Sequence, residues 1–166
     1  VRSEMEAVAG FFGKSVLREV DKEDVVKNAG AIAKKLGERA VLRALHFYGE
    51  NEKVTAQTKA LKEGDFDAFK ELIIASGRSS YMYNQNVFAA SQPLSQPVSL
   101  ALALSERILK DKGGAWRVHG GGFAGTIQAF VPENTLDEYK TRMEALFGEN
   151  SCYVLAIRPF GGTMVK

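Results

Sequence analysis

The feature that most limits what this chain can become is a change of hydrophobic period at Gly113-Gly114. Before that pair, apolar residues recur at helical spacing; after it they alternate, which separates a helix stripe from a strand face. Residues Ala115 to His119 set Trp116 and Val118 against Arg117 and His119. Residues Thr126 to Val131 set Ile127, Ala129 and Val131 against Gln128 and Phe130. Each pattern predicts a half-buried strand. Asn134 or Thr135 then caps a helix carrying Leu136, Tyr139, Met143 and Leu146, closed by Gly148. Cys152 to Ile157 reads as a third strand and Thr163 to Val165 as a fourth. Strands gathered behind a run of helices give an α+β class: a small antiparallel sheet of about four strands packed with several helices.

Upstream, the punctuation is helical. Met5, Val8, Ala9, Phe12 and Val16 share one face of a helix expected from about residue 3 to 19. Asp21 and Asp24 supply an N-cap and a first-turn acid for a helix ending near Gly37. A long helix follows from Glu38 to Glu63, stopped by Gly64, and Asp65 caps the next, which carries Phe66, Phe69 and Leu72. Between Ser76 and Gln96 the helical period is lost, and two Gln-Pro pairs mark an irregular and mobile excursion. Pro97 suits the first position of another helix, with Val98, Ala101, Leu102, Ile108 and Leu109 on its face.

Composition excludes several function classes. The 166 residues suffice for one core, and a single domain over 1–166 is expected. Twenty-two basic and twenty acidic residues give a net charge of +2 with no long block of one sign, which argues against nucleic acid as a partner. The densest basic cluster, Lys110 to Lys112, has an aspartate in its middle. No stretch offers the ~20 consecutive apolar residues of a membrane span, so no membrane partner is expected. One cysteine, Cys152, permits no intrachain disulfide, and a small buried hydrophobe is its expected role in a cytoplasmic protein. The amphipathic run beside Val1 has neither an initiator Met nor a capping residue before it, which suggests a fragment.

Candidate chemistry concentrates between the two predicted strands, in His119-Gly120-Gly121-Gly122-Phe123-Ala124-Gly125. Glycines allow positive φ and close approach of a ligand to backbone N–H groups, and successive N–H groups can form an anion-binding concavity. The loop joins strand to strand, so it is neither a Walker A nor a dinucleotide loop. A glycine-rich hairpin without a ligand is equally compatible with these residues. His46 reads as a structural histidine within a helix, with no second histidine at metal-pair spacing. Glu50 and Glu52 do not share a helix face. No catalytic residue and no metal ligand can be assigned from these patterns.

The segment Arg117 to Gly125 resembles the third signature of the galactokinase, homoserine kinase, mevalonate kinase and phosphomevalonate kinase superfamily. Galactokinases read approximately Arg-Met-Thr-Gly-Gly-Gly-Phe-Gly-Gly there. Arg43-Ala44-Leu45-His46 with Glu50 and Lys53-Val54 resembles their Arg-Ala-x-His-x-x-x-Glu-x-x-Arg-Val helix. Gly64-Asp65-Phe66 with Phe69, Leu72 and Ser76 resembles their Gly-Asp-x-x-x-Phe-x-x-Leu-x-x-x-Ser segment. The departures are His119 for Thr, Ala124 for Gly, and Gly77 for the His of a Ser-His pair.

This resemblance implies the C-terminal domain of a kinase that places the γ-phosphate of ATP on the anomeric hydroxyl of galactose, with Mg²⁺ required. It implies cofactor contact at Gly120, Gly121, Gly122, Phe123, Ala124 and Gly125. In that family the ATP loop and the sugar signature come from an N-terminal domain, and neither occurs here. The chain alone is therefore expected to be inactive. A kinase for arabinose or N-acetylgalactosamine, and a non-catalytic sugar-binding or regulatory module, remain alternatives.

Overall fold

A computed structural model describes residues 1–123, 125–157 and 164. Among them are seven α-helices and one antiparallel sheet of two strands. The helices are α1 (Arg2–Phe11), α2 (Lys22–Lys27), α3 (Ala29–Leu36), α4 (Glu38–Glu63), α5 (Phe66–Ser79), α6 (Pro97–Leu109) and α7 (Leu136–Phe147). The strands are β1 (Ala115–Val118) and β2 (Ile127–Phe130), paired in the register Ala115↔Phe130 to Val118↔Ile127. Helices and an antiparallel sheet segregate as α+β predicts.

The sheet is smaller than expected. Residues 152–157 form no ladder, and Tyr153, Leu155 and Ile157 on one side of the alternation and Val154 on the other are all exposed. A strand needs a neighbour for its N–H and C=O groups, and an apolar alternating run does not supply one. The fourth expected strand, from Thr163 to Val165, lies outside the described residues.

Two further boundaries move. The first helix stops at Phe11, because Gly13 takes φ +71° and the chain re-enters a short 3₁₀ turn at Leu17–Glu19. That exposes Val16 and buries Leu17 in its place. The helix expected up to Gly37 is two, broken at Asn28, whose side-chain amide donates to the Asp24 carbonyl at 2.8 Å and competes with the helix ladder. Asp21 caps α2 through the Glu23 amide, and Asp65 caps α5 through the Ala68 amide. Gly64 ends α4 in the left-handed conformation. Thr135 stands at the N-cap of α7 without a side-chain capping bond; its hydroxyl donates to Asn134 instead.

The core lies in two clusters. One gathers Val8, Val25, Ile32 and Ala44 where α1, α2 and α3 meet the first turns of α4. The other gathers Leu109, Trp116, Val118 and Met143 between the sheet, α6 and α7, where the Tyr139 hydroxyl and Ser105 Oγ share a 2.8 Å hydrogen bond. Between the clusters, α5 packs along α4 and against β1. β1 is consequently covered on both faces rather than half-buried. Trp116 and Val118 face the second cluster, and Arg117 lies under α5.

Gly77 is what lets α5 come so close. A Cβ there would stand 3.1 Å from both Cα and Cβ of Arg117 and 3.2 Å from the Trp116 carbonyl oxygen. A histidine here, as in the galactokinase pattern, would press its Cβ on β1 and require the strand to give by a few tenths of an ångström.

Candidate functional site

The glycine loop leaves β1 and returns to β2, and its base is closed by one bond beyond the ladder, from the His119 amide to the Thr126 carbonyl at 3.1 Å. Gly120, Gly122 and Gly125 adopt φ of +60°, +81° and +88°, a region that penalises any side chain. Gly121 does not, and a Cβ built on it meets nothing within 4 Å. Gly122 is buried, whereas Gly120, Gly121, Phe123 and Gly125 are exposed. Within the loop the Gly122 amide donates to the His119 carbonyl at 3.4 Å, and the Gly125 amide to the Gly122 carbonyl at 3.3 Å. Among the described residues, the amides of Gly120 and Gly121 donate to no protein acceptor. Two adjacent N–H groups on exposed backbone thus lack an acceptor among the described residues, and such donors can bind an anionic oxygen.

The loop is held from the side by Asn86. At the end of α5 the chain does not unwind at Ser76, contrary to the sequence expectation. It stays helical to Ser79 and continues as a π turn over Ser80–Asn84. Gln85 then takes the left-handed conformation, φ +54° and ψ +46°, and turns the chain toward the loop. The Asn86 carbonyl accepts from the Phe123 amide at 2.9 Å, and its side-chain Nδ2 donates to the Gly121 carbonyl at 3.2 Å. Asn84, Asn86 and Val87 are buried, so this part of the excursion is packed, while residues 90–95 are exposed.

Beneath β1 lies a charged group of side chains. The Ser76 hydroxyl donates to Glu50, whose Oε1 lies 3.3 Å from the Lys53 ammonium and whose Oε2 lies 4.0 Å from Arg117 Nη2. His46 Nδ1 shares a 2.9 Å hydrogen bond with Ser79 Oγ, and burial pushes its imidazole below the ordinary value. Glu50 counters that shift, while Lys53 and Arg117 reinforce it. Arg43, itself buried, donates to the Asn84 carbonyl at 3.0 Å and pairs with Glu4, tying α1, α4 and the π turn together.

The structure thus brings parts of the three sequence matches around one strand. Glu50 on α4 meets Ser76 on α5 and Arg117 on β1, His46 joins Ser79 of α5, and Arg43 reaches the π turn at the Asn84 carbonyl instead. His46 is a satisfied structural histidine, and Glu52 turns away from Glu50 to pair with Lys22. His119 is exposed beside the loop. Of the six expected cofactor-contact residues, Ala124 lies outside the described residues. Cys152 is half-buried against the second cluster, where burial pushes its thiol up. Asn86 was missed by sequence reading. The signal available was an asparagine pair, Asn84 and Asn86, directly ahead of the apolar Val87-Phe88. A groove of about 310 Å³ lined by Met5, Leu17 and Phe47 belongs to the helical end and touches none of the loop.

No protein-family model matches the chain. Galactokinases from Haemophilus influenzae and Mannheimia succiniciproducens are each 31% identical to it over 139 residues, covering 84% of this chain and 34% of theirs. A galactokinase from Thermotoga petrophila is 35% identical over 142 residues, covering 86% of this chain and 36% of its own. The chain is galactokinase-like. The similarity covers most of this chain, as the three matched segments implied. The chain spans about a third of the length of the curated galactokinases it matches. Among the described residues no helix is long and apolar enough to cross a membrane.

Proposed function

We propose that residues 1–166 form one domain, the C-terminal part of a cytoplasmic galactokinase-like sugar kinase. The intact protein transfers the γ-phosphate of ATP to the anomeric hydroxyl of galactose. The observation that carries this reading is the pair of exposed amides at Gly120 and Gly121, without an acceptor among the described residues, on a galactokinase-like chain. ATP supplies the transferred phosphoryl group, and phosphoryl transfer is catalysed by positioning and by charge stabilisation. In this chain the exposed backbone of Gly120, Gly121 and Gly125 fits an approaching phosphate, with Phe123 exposed in the same loop. Asn86 and the His119–Thr126 bond hold the loop open. Among the described residues no three His, Cys, Asp or Glu side chains gather as metal ligands, and Mg²⁺ is commonly held by one or two carboxylates together with the nucleotide phosphates.

The test is a coupled kinase assay with galactose, arabinose and N-acetylgalactosamine, run on the isolated chain and on the intact gene product that carries it. The isolated chain shows no turnover, and the intact protein phosphorylates galactose best. An intact protein that binds galactose without phosphorylating any of the three sugars would contradict the reading in favour of a sugar-binding module.

A further inference from the structure

The glycine loop carries its own reach for a ligand but does not fix its own shape. Three of its glycines sit at positive φ, and its internal bonds are long, 3.3 and 3.4 Å. The shorter contact comes from outside, from Asn86. We propose that Asn86 is a positioning residue for phosphoryl transfer, setting the loop so that the Gly120 and Gly121 amides stay free for the nucleotide. This rests on the kinase reading above.

Three observations converge on Asn86. Its backbone carbonyl takes the Phe123 amide, which otherwise would be free to turn inward and compete for loop acceptors. Its Nδ2 takes the Gly121 carbonyl, which orients the 121–122 peptide. Its bulk fills the space where Gly122 lacks a side chain: a Cβ on Gly122 would lie 2.0 Å from the Asn86 carbonyl oxygen and 2.7 Å from Nδ2. The amide orientation is fixed chemically, since a flipped side chain would set Oδ1 against the Gly121 carbonyl oxygen. That leaves Oδ1 buried with no hydrogen-bond partner among the described residues, in a side chain only 3% exposed. A buried polar atom left unpaired costs stability, and such a group persists where its other contacts matter. The left-handed Gln85 is the second such cost, and it aims Asn86 at the loop.

Substitution separates the two kinds of contact, because the backbone bond to Phe123 survives any side chain at position 86. Asn86→Asp keeps the shape and replaces the donor with a carboxylate facing the Gly121 carbonyl; Asn86→Ala removes the link altogether. Amide exchange is followed in the 166-residue chain, and steady-state kinetics in the intact gene product, corrected for folded fraction by melting curves. In both variants the Gly122 and Gly125 amides, whose bonds within the loop depend on its shape, exchange faster while those of α4 do not. kcat/KM for ATP falls about 10- to 100-fold, the scale of a small misplacement, while KM for galactose stays within about twofold. A merely structural role would move melting temperature and leave the two KM values together. Unchanged loop exchange, or wild-type kcat/KM for ATP with an active parent, overturns the proposal. A parent enzyme with no kinase activity overturns it too, but by refuting the kinase reading on which it stands.

Discussion

Asn86 and Gly122 occupy adjoining space with no room for a methyl group between them: a Cβ on Gly122 would stand 2.0 Å from the Asn86 carbonyl oxygen. That oxygen belongs to backbone already bonded to the Phe123 amide, so it cannot swing aside. Gly122 also sits at φ +81°. Gly122→Ala therefore combines overpacking with a left-handed penalty, an expected loss of about 2–4 kcal/mol. Urea unfolding of the isolated chain checks it, and a variant as stable as the parent would mean that loop and π turn are not in contact.

A second close approach fixes the layer above the sheet. Gly77→Ala gains helix propensity of about 1 kcal/mol but forces its methyl against the backbone of Trp116 and Arg117, at an overpacking cost of about 1–3 kcal/mol. The net expectation is a loss of about 1 kcal/mol, read as a fall in melting temperature of about 2–4 °C. A rise in melting temperature would show that α5 rides free of β1.

His46 makes stability depend on pH in a direction that follows from its burial. Its pKa in the folded chain lies below the ordinary value, so between the two values the unfolded chain binds more protons. Its stability contribution is complete above the ordinary imidazole value of about 6.5 and is lost as pH falls below it toward the folded value. Replacing His46 with Gln removes this dependence. The parent should lose more melting temperature than His46→Gln between neutral pH and mildly acidic pH. Parallel losses in the two proteins would contradict it.

Much of this was legible in the sequence because it rests on local chemistry. Asp21 and Asp65 cap, Gly64 and Gly113 stop helices, Pro97 starts one, and the alternation through Trp116 and Val118 marks a core strand. What was illegible depends on partners. Residues 152–157 have a strand's alternation but, among the described residues, no strand beside them. The stretch after Ser76 looked irregular because its residues are polar. Ser76 and Ser79 are polar for a reason visible only in three dimensions: Glu50 and His46 meet their hydroxyls there. Within the loop the roles of the glycines also divide. Sequence marks all of them alike, whereas only Gly122 is both buried and pressed against a neighbour.

The same division splits the expectation of mobility. Amides of residues 85–88, packed beside the loop, should exchange slowly, and those of residues 90–95 quickly. Equal fast exchange across both stretches would show that the π turn does not hold Asn86 in place.

The central claim is that the outward backbone of the glycine loop serves phosphoryl transfer, and Gly121 tests it most directly. Unlike Gly122, it needs no positive φ, and a Cβ there meets nothing within 4 Å. Gly121→Val therefore leaves the fold intact and obstructs only what approaches from outside. Melting temperature and specific activity in the coupled kinase assay should be measured on one purified Gly121→Val variant of the intact protein. The account predicts an unchanged melting temperature with turnover reduced about 100-fold, the scale of losing positioned backbone donors. Parental specific activity in the folded variant would contradict it and leave the loop as a hairpin between two strands.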